Sequence, residues 1–138
     1  MRFHGGCHCG NIAVVFETEL SPDAIEIRAC QCSFCRKHAS RAVADPTGRA
    51  LISAKEINYL GRYRFGFETA EYLICSRCGV YVAAVTTGAE EQRAIVILNG
   101  LDQREAFTGP LLPMDYDGES RAERIARRRA RWTPVTVR

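Results

Sequence analysis

Seven cysteines lie in three short groups. Cys7 and Cys9 form C-x-C followed by Gly10, Cys30, Cys32 and Cys35 form C-x-C-x-x-C, and Cys75 and Cys78 form C-x-x-C followed by Gly79. No other feature constrains the fold as strongly. An odd number does not suit a secreted disulfide scaffold, and in a reducing compartment clustered thiols bind metal or carry redox chemistry. A redox C-x-x-C favours a strand-to-helix setting, whereas the residues after Cys78 read as strand. Isolated cysteines are commonly small core hydrophobes, a reading that fits poorly when every cysteine belongs to a group. C-x-x-C-G is typical of a zinc knuckle, in which both thiolates point at one ion and glycine lets the chain turn tightly. Four plus three cysteines suggests one complete site and one incomplete site. Spacing alone leaves open which groups combine.

Between the clusters the pattern is that of short strands. Ile12, Val14 and Phe16 alternate, as do Ile25 and Ile27 before Cys30. Arg41 to Asp45 and Ala50 to Ser53 are shorter candidates separated by the turn signal DPTG. INYLGRYRF, AEYLIC, VYVAAVTT and RAIVILNG are rich in aromatic and β-branched residues. A mainly β domain is expected. SFCRKHAS adds a short helical turn. Ser120 and Glu123 have the spacing of a capping box, which starts a short C-terminal helix. Ala122, Ile125, Ala126 and Ala130 make its thin apolar stripe, and Pro134 cannot continue it. The 138 residues suit one domain spanning 1–138, with an arginine-rich helical tail at about 119–132.

The net charge of +3 is too small to imply a nucleic-acid partner. The charge is uneven, with Arg121, Arg124, Arg127, Arg128, Arg129 and Arg131 set against Glu123 alone within 121–131. No apolar run is long enough to span a bilayer and no apolar stretch near Met1 could serve as a secretory signal, so a cytoplasmic protein without membrane partners is expected.

GGCHCG at 5–10, CQCSFCRK at 30–37 and CSRCG at 75–79 resemble the glutathione-dependent formaldehyde-activating family, which also contains centromere protein V. The likeness runs from about residue 3 to Asp102. It implies a zinc-bearing β-tent of small antiparallel sheets. It implies two zinc ions per chain: Cys7, Cys9, Cys75 and Cys78 match the structural zinc positions, and Cys30, Cys32 and Cys35 match a second zinc tied to glutathione and to activity. The implied reaction joins glutathione to formaldehyde, giving S-hydroxymethylglutathione, and is classed as a carbon–sulfur lyase reaction.

Three thiolates would leave zinc with a net charge of −1, a poor setting for acidifying water and a better one for an incoming thiol. Arg36 and Lys37 are candidates to meet a glutathione carboxylate or a developing oxyanion, although both could be solvated cations. His38, one turn after Cys35, could close the site as a fourth ligand, act as an acid–base group, or sit on the surface. The favoured expectation is a protein that adds glutathione or a similar thiol to formaldehyde or another small aldehyde. The alternative is a non-catalytic zinc-binding module, associated with nucleic acid through the arginine-rich helix. On a helix, however, those arginines spread over more than one face, which disfavours phosphate tracking.

Overall fold

The computed structural model describes residues 1–88 and 90–138. The expected strands form where alternating side chains place one face in the core. In β2 (Ile12–Glu17), Ile12, Val14 and Phe16 are buried while the intervening residues are more exposed. β2 lies between β1 (Arg2–Gly6) and β5 (Arg49–Ala54), antiparallel to both. β11 (Thr133–Val137) then adds parallel to β5.

The same β11 continues into a second sheet, where Thr133 and Pro134 pair with β9 (Arg93–Ile97). One edge of β9 meets β11 and then β4 (Ala42–Val43), and the other edge meets β8 (Tyr81–Thr86). β8 pairs with β7 (Ala70–Cys75), and β7 with β6 (Leu60–Tyr63), all antiparallel. On the other side, β4 meets β3 (Ile27–Cys30), and β10 (Leu111–Met114) runs parallel to β3. The molecule is therefore mainly β, and its strand pairings are antiparallel apart from β10 with β3 and β11 with β5. The principal core joins both sheets and includes Phe3, Phe16, Ile52, Leu73, Cys75, Val85 and Val96. Among the described residues no helix is long and apolar enough to cross a membrane.

Both expected helices form. α1 (Ser33–His38) begins at Cys32, whose sulfur accepts the Cys35 N–H at 3.4 Å. α2 (Arg121–Arg131) has the full capping box: the Ser120 hydroxyl accepts the Glu123 N–H at 3.1 Å, and the Ser120 N–H donates to the Glu123 carboxylate at 3.0 Å. Its orientation reverses the expectation. Ala122, Ala126 and Ala130 are exposed and Ile125 is only half-buried, whereas Arg128 is buried and Arg124 and Arg127 are half-buried. A methyl group gains little from burial, while three guanidinium groups find fixed partners on the inner side.

A polar knot ties β4 to the first sheet. Asp45 is 2% exposed and accepts from the Thr18 hydroxyl at 2.6 Å, the Thr47 hydroxyl at 2.7 Å and the Thr47 N–H at 2.9 Å. Burial alone would push its carboxyl up, but the Thr18 and Thr47 donors and the Gly48 N–H outweigh this and hold it below its ordinary value. A carboxyl depressed in the fold stabilises above its unfolded pKa, near 4, and that stabilisation is lost as pH falls through the lower folded value. Asp45→Ala is expected to cost about 2–4 kcal/mol by stranding the donors that face it. Urea unfolding at neutral pH measures this, and an unchanged midpoint would refute it.

Candidate functional site

The first cysteine group joins two distant turns. Cys7 and Cys9 follow β1; Cys75 ends β7 and Cys78 follows it. The ligand atoms of all four lie within 4.8 Å of one another. The two turns are built alike. Gly10 and Gly79 have φ of +83° and +84°, a region that L side chains enter only with strain. The Gly79 N–H donates to the Cys75 carbonyl at 2.7 Å, and the Ile12 N–H donates to the Cys7 sulfur at 3.1 Å. A tetrahedral ion held by thiolates at about 2.3 Å spaces its sulfurs by about 3.8 Å. The Cys7–Cys9 and Cys9–Cys75 sulfurs are 3.7 and 3.6 Å apart, close to that spacing, and all four lie within 4.8 Å of one another, so the donor set suits a tetrahedral ion such as zinc.

The second group is local. Cys30 closes β3, Cys32 caps α1, and Cys35 lies in its first turn. Their sulfurs also lie within 4.8 Å of one another. The Cys30 and Cys35 thiols, directed at Cys32, draw it far below its ordinary pKa, while Cys30 and Cys32 push Cys35 far up. Crowded sulfurs behave this way because one thiolate is stabilised by its neighbours' protons and a second is not. A cation would remove the conflict by holding all three as thiolates. Both groups can therefore hold a metal ion.

His38 does not join the triad. Its Nδ1 faces the Phe34 carbonyl at 3.0 Å, and its ring packs 4.4 Å from Phe34 and 5.4 Å from Tyr81. The i, i+3 spacing brings His38 to the same side of α1 as Cys35, but the aromatic cluster around Phe34 holds the ring away from the sulfurs. Among the described residues no His, Asp or Glu completes the group. Arg36 and Lys37 are exposed on α1, and neither takes part in an ion pair among the described residues.

The charge beside the triad comes from elsewhere. A cleft of about 450 Å³ is walled by Cys30 and Cys32, Phe65, Tyr72, Tyr116 and the arginine side of α2. Glu119, just before α2, holds Arg124 at 3.0 Å and Arg127 at 2.8 Å. The Arg127 guanidinium lies 3.5 Å from the centre of the Tyr116 ring. Arg128 reaches inward and donates to the Thr69 hydroxyl at 2.8 Å. Burial pushes the phenols of Tyr72 and Tyr116 up, so both remain protonated at neutral pH.

Sequence reasoning missed Arg28, Tyr72, Tyr116, Arg128 and Trp132. For Arg28 a signal exists: it stands two residues before Cys30 in an apolar strand, and alternate residues of a strand share a face. For the others, no spacing connects them to the cysteines.

The arrangement has known relatives. The crystal structure of a Rhodobacter sphaeroides protein matches this fold with a TM-score of 0.54 and 28% identity, over 79% of this chain and 99% of that one. Residues 2–111, which carry all seven cysteines, match the family model described as glutathione-dependent formaldehyde-activating enzyme. The match ends before α2, so the arginine wall of the cleft lies outside it. With about four-fifths of its length in that match, this chain belongs to the glutathione-dependent formaldehyde-activating enzyme family.

Proposed function

We propose that this protein binds zinc at both cysteine groups, takes glutathione or a similar thiol at the triad, and adds its sulfur to formaldehyde or another small aldehyde. Cys7, Cys9, Cys75 and Cys78 hold a structural ion that ties β1 to β7. Cys30, Cys32 and Cys35 hold the second ion, which supplies one thing when bound: it keeps the incoming sulfur as a thiolate at neutral pH.

The observation that carries this reading is a triad of thiols, short of a fourth protein ligand among the described residues, two of which, Cys30 and Cys32, line a cleft large enough for a small molecule. In the reaction a sulfur–carbon bond forms and the carbonyl π bond breaks. The thiol proton ends on the former carbonyl oxygen, so atoms and charge balance. Phe65, Tyr72 and Tyr116 narrow the cleft and reduce water around the reacting carbon. Tyr72 and Tyr116, held protonated, line the cleft and supply neutral donors for the developing oxyanion. The reaction class is that of a carbon–sulfur lyase.

The orientation of α2 favours a small-molecule site over a nucleic-acid surface. Arg124 and Arg127 are paired with Glu119, Arg128 is buried, and Arg129 is paired with Glu90 at 2.7 Å. Phosphate tracking requires free exposed cations, and of the six arginines of α2 this leaves Arg121 and Arg131.

Native mass spectrometry with and without glutathione tests the reading. Two zinc ions per chain and a glutathione adduct are expected. Bound zinc with no adduct at millimolar glutathione would make the metal purely structural.

A further inference from the structure

The cations that follow Cys35 in the sequence are not the ones that reach the cleft. Arg36 and Lys37 are exposed on α1, whereas Arg124, Arg127 and Arg128 of α2 line the cleft together with Cys30, Cys32 and Tyr116. Arg128 is buried and directs its guanidinium to Thr69 and Tyr72. Arg124 and Arg127 keep 21% and 18% of their side-chain surface exposed, so a ligand in the cleft can touch them.

A guanidinium has five N–H donors in a fixed fork. Arg127 donates from Nε and Nη2 to Glu119, at 2.8 and 3.2 Å. Arg124 donates from Nε to Glu119 and from Nη2 to the Tyr116 carbonyl, both at 3.0 Å. Among the described residues neither Nη1 has a hydrogen-bond partner. One carboxylate serves two cations, so pairing with Glu119 leaves one positive charge for the cleft. Hydrogen bonds from Arg127 and Arg124 outweigh burial and hold the Glu119 carboxyl below its ordinary value, which keeps the clamp charged at neutral pH. Arg127 also stacks on the Tyr116 ring, and Arg124 lies 4.9 Å from the centre of the Phe67 ring. Both guanidinium groups are thus fixed before a ligand arrives, and a carboxylate that binds them costs little further rotamer freedom. The exposed carboxylates of Asp115 and Asp117 line the same cleft. They oppose a ligand that is negative throughout and favour one that carries an ammonium as well.

We propose that Arg124 and Arg127 bind a carboxylate of the thiol substrate, so that α2 holds the far end of an amino-acid or peptide thiol while its sulfur sits at the triad. The inference rests on the thiol-addition reading above and specifies how that thiol is recognised; the small aldehyde, formaldehyde included, stays as proposed there. The two arginines set specificity and take no part in bond making, and Glu119 is the residue that positions them. A thiol held at its sulfur and at its carboxylate is fixed in two places, which a thiol without a carboxylate is not. At about 450 Å³ the cleft falls within the range of small-ligand pockets, roughly 300–1,000 Å³. The family match ends at residue 111, ahead of Glu119 and α2, so this recognition belongs to the C-terminal segment of the chain.

Calorimetric titration of the zinc-loaded full-length protein with glutathione and, separately, with its diethyl ester tests this. The ester keeps the thiol and the ammonium and has no free carboxylate. Glutathione is expected to bind at least about ten-fold more tightly than the ester, the range of one charge-assisted hydrogen bond. Arg124→Gln and Arg127→Gln are each expected to weaken glutathione about five-fold or more and to leave the ester unchanged, with zinc content constant in native mass spectra. Arg127→Lys is expected to recover part of the loss, and Arg36→Gln combined with Lys37→Gln to bind glutathione as the wild type does. If one arginine variant folds poorly, the other variant and the wild-type preference for glutathione over its ester still decide. Equal affinity for the two thiols overturns the proposal and leaves the thiol-addition reading standing. Arginine variants that weaken both thiols alike also overturn it, because the guanidinium groups would then only shape the cleft. So does a loss of glutathione binding in the Arg36 and Lys37 variant with none in the α2 variants. A wild type that binds neither thiol removes the thiol-addition reading and this inference with it.

Discussion

Cys75→Ser is expected to yield a chain that loses a zinc ion and its cooperative thermal transition. Cys75 is fully buried at the end of β7, within the principal core, and its sulfur lies 3.6 Å from that of Cys9. Binding free energies of structural zinc sites are about 10–16 kcal/mol in small domains, where binding is coupled to folding. Whole-domain stabilities are about 5–15 kcal/mol. Loss of one ligand from such a site therefore removes a large share of the stability, on the order of several kcal/mol. Part of the effect at Cys75 would come from placing a hydroxyl in the core, and Cys9→Ser separates the two causes. Cys9 is exposed, so its replacement disturbs no packing, yet it breaks the same site. A strong fall in melting temperature is expected for both variants, read by circular dichroism together with zinc content. If Cys9→Ser melts as the wild type does, the four-cysteine group does not hold the fold together.

The opposite separation is expected at the triad. Cys32→Ser should abolish the glutathione adduct while leaving the fold nearly intact. Cys32 is half-buried and caps α1, where its sulfur accepts the Cys35 N–H at 3.4 Å. Serine is among the preferred residues at a helix start, so the introduced hydroxyl can take over that bond. What the variant cannot supply is the third thiolate. Adduct loss in native mass spectra, with the melting temperature changed by no more than a few degrees, is the expected result for a local substitution of this kind. An adduct that persists would place the thiol site elsewhere, and collapse of the fold would make the triad structural.

The legible part of the fold was the part with alternation or dense strand formers. β2 alternates, and β7, β8 and β9 are rich in aromatic and β-branched residues, β8 being buried along nearly its whole length. β10 and β11 were not legible. LLPM contains a proline and is half-exposed, and TPVTV follows a helix after which Pro134 reads only as a stop. Both become strands because a parallel neighbour supplies hydrogen bonds, β3 for the first and β5 for the second. In α2 a pattern of small apolar residues pointed the wrong way. Alanine carries little burial energy, so Glu119 and the cleft set the orientation through Arg124, Arg127 and Arg128. His38 shows the same limit on a smaller scale: helical spacing places it near Cys35, but contacts with Phe34 and Tyr81 decide where its ring goes.

The sequence by itself determined the ligand chemistry: thiols, in groups whose internal spacing lets each turn present its sulfurs together. That is local geometry, set by three to six residues of chain and, at Gly10 and Gly79, by glycines at positive φ. Only the tertiary structure brought Cys7 and Cys9 to Cys75 and Cys78, and Arg128 to the edge of the cleft beside the triad. Those partners are separated by long stretches of chain, and strand pairing, not spacing, determines which of them meet. The burial of Arg28 and Arg128 is likewise a property of the packed interior.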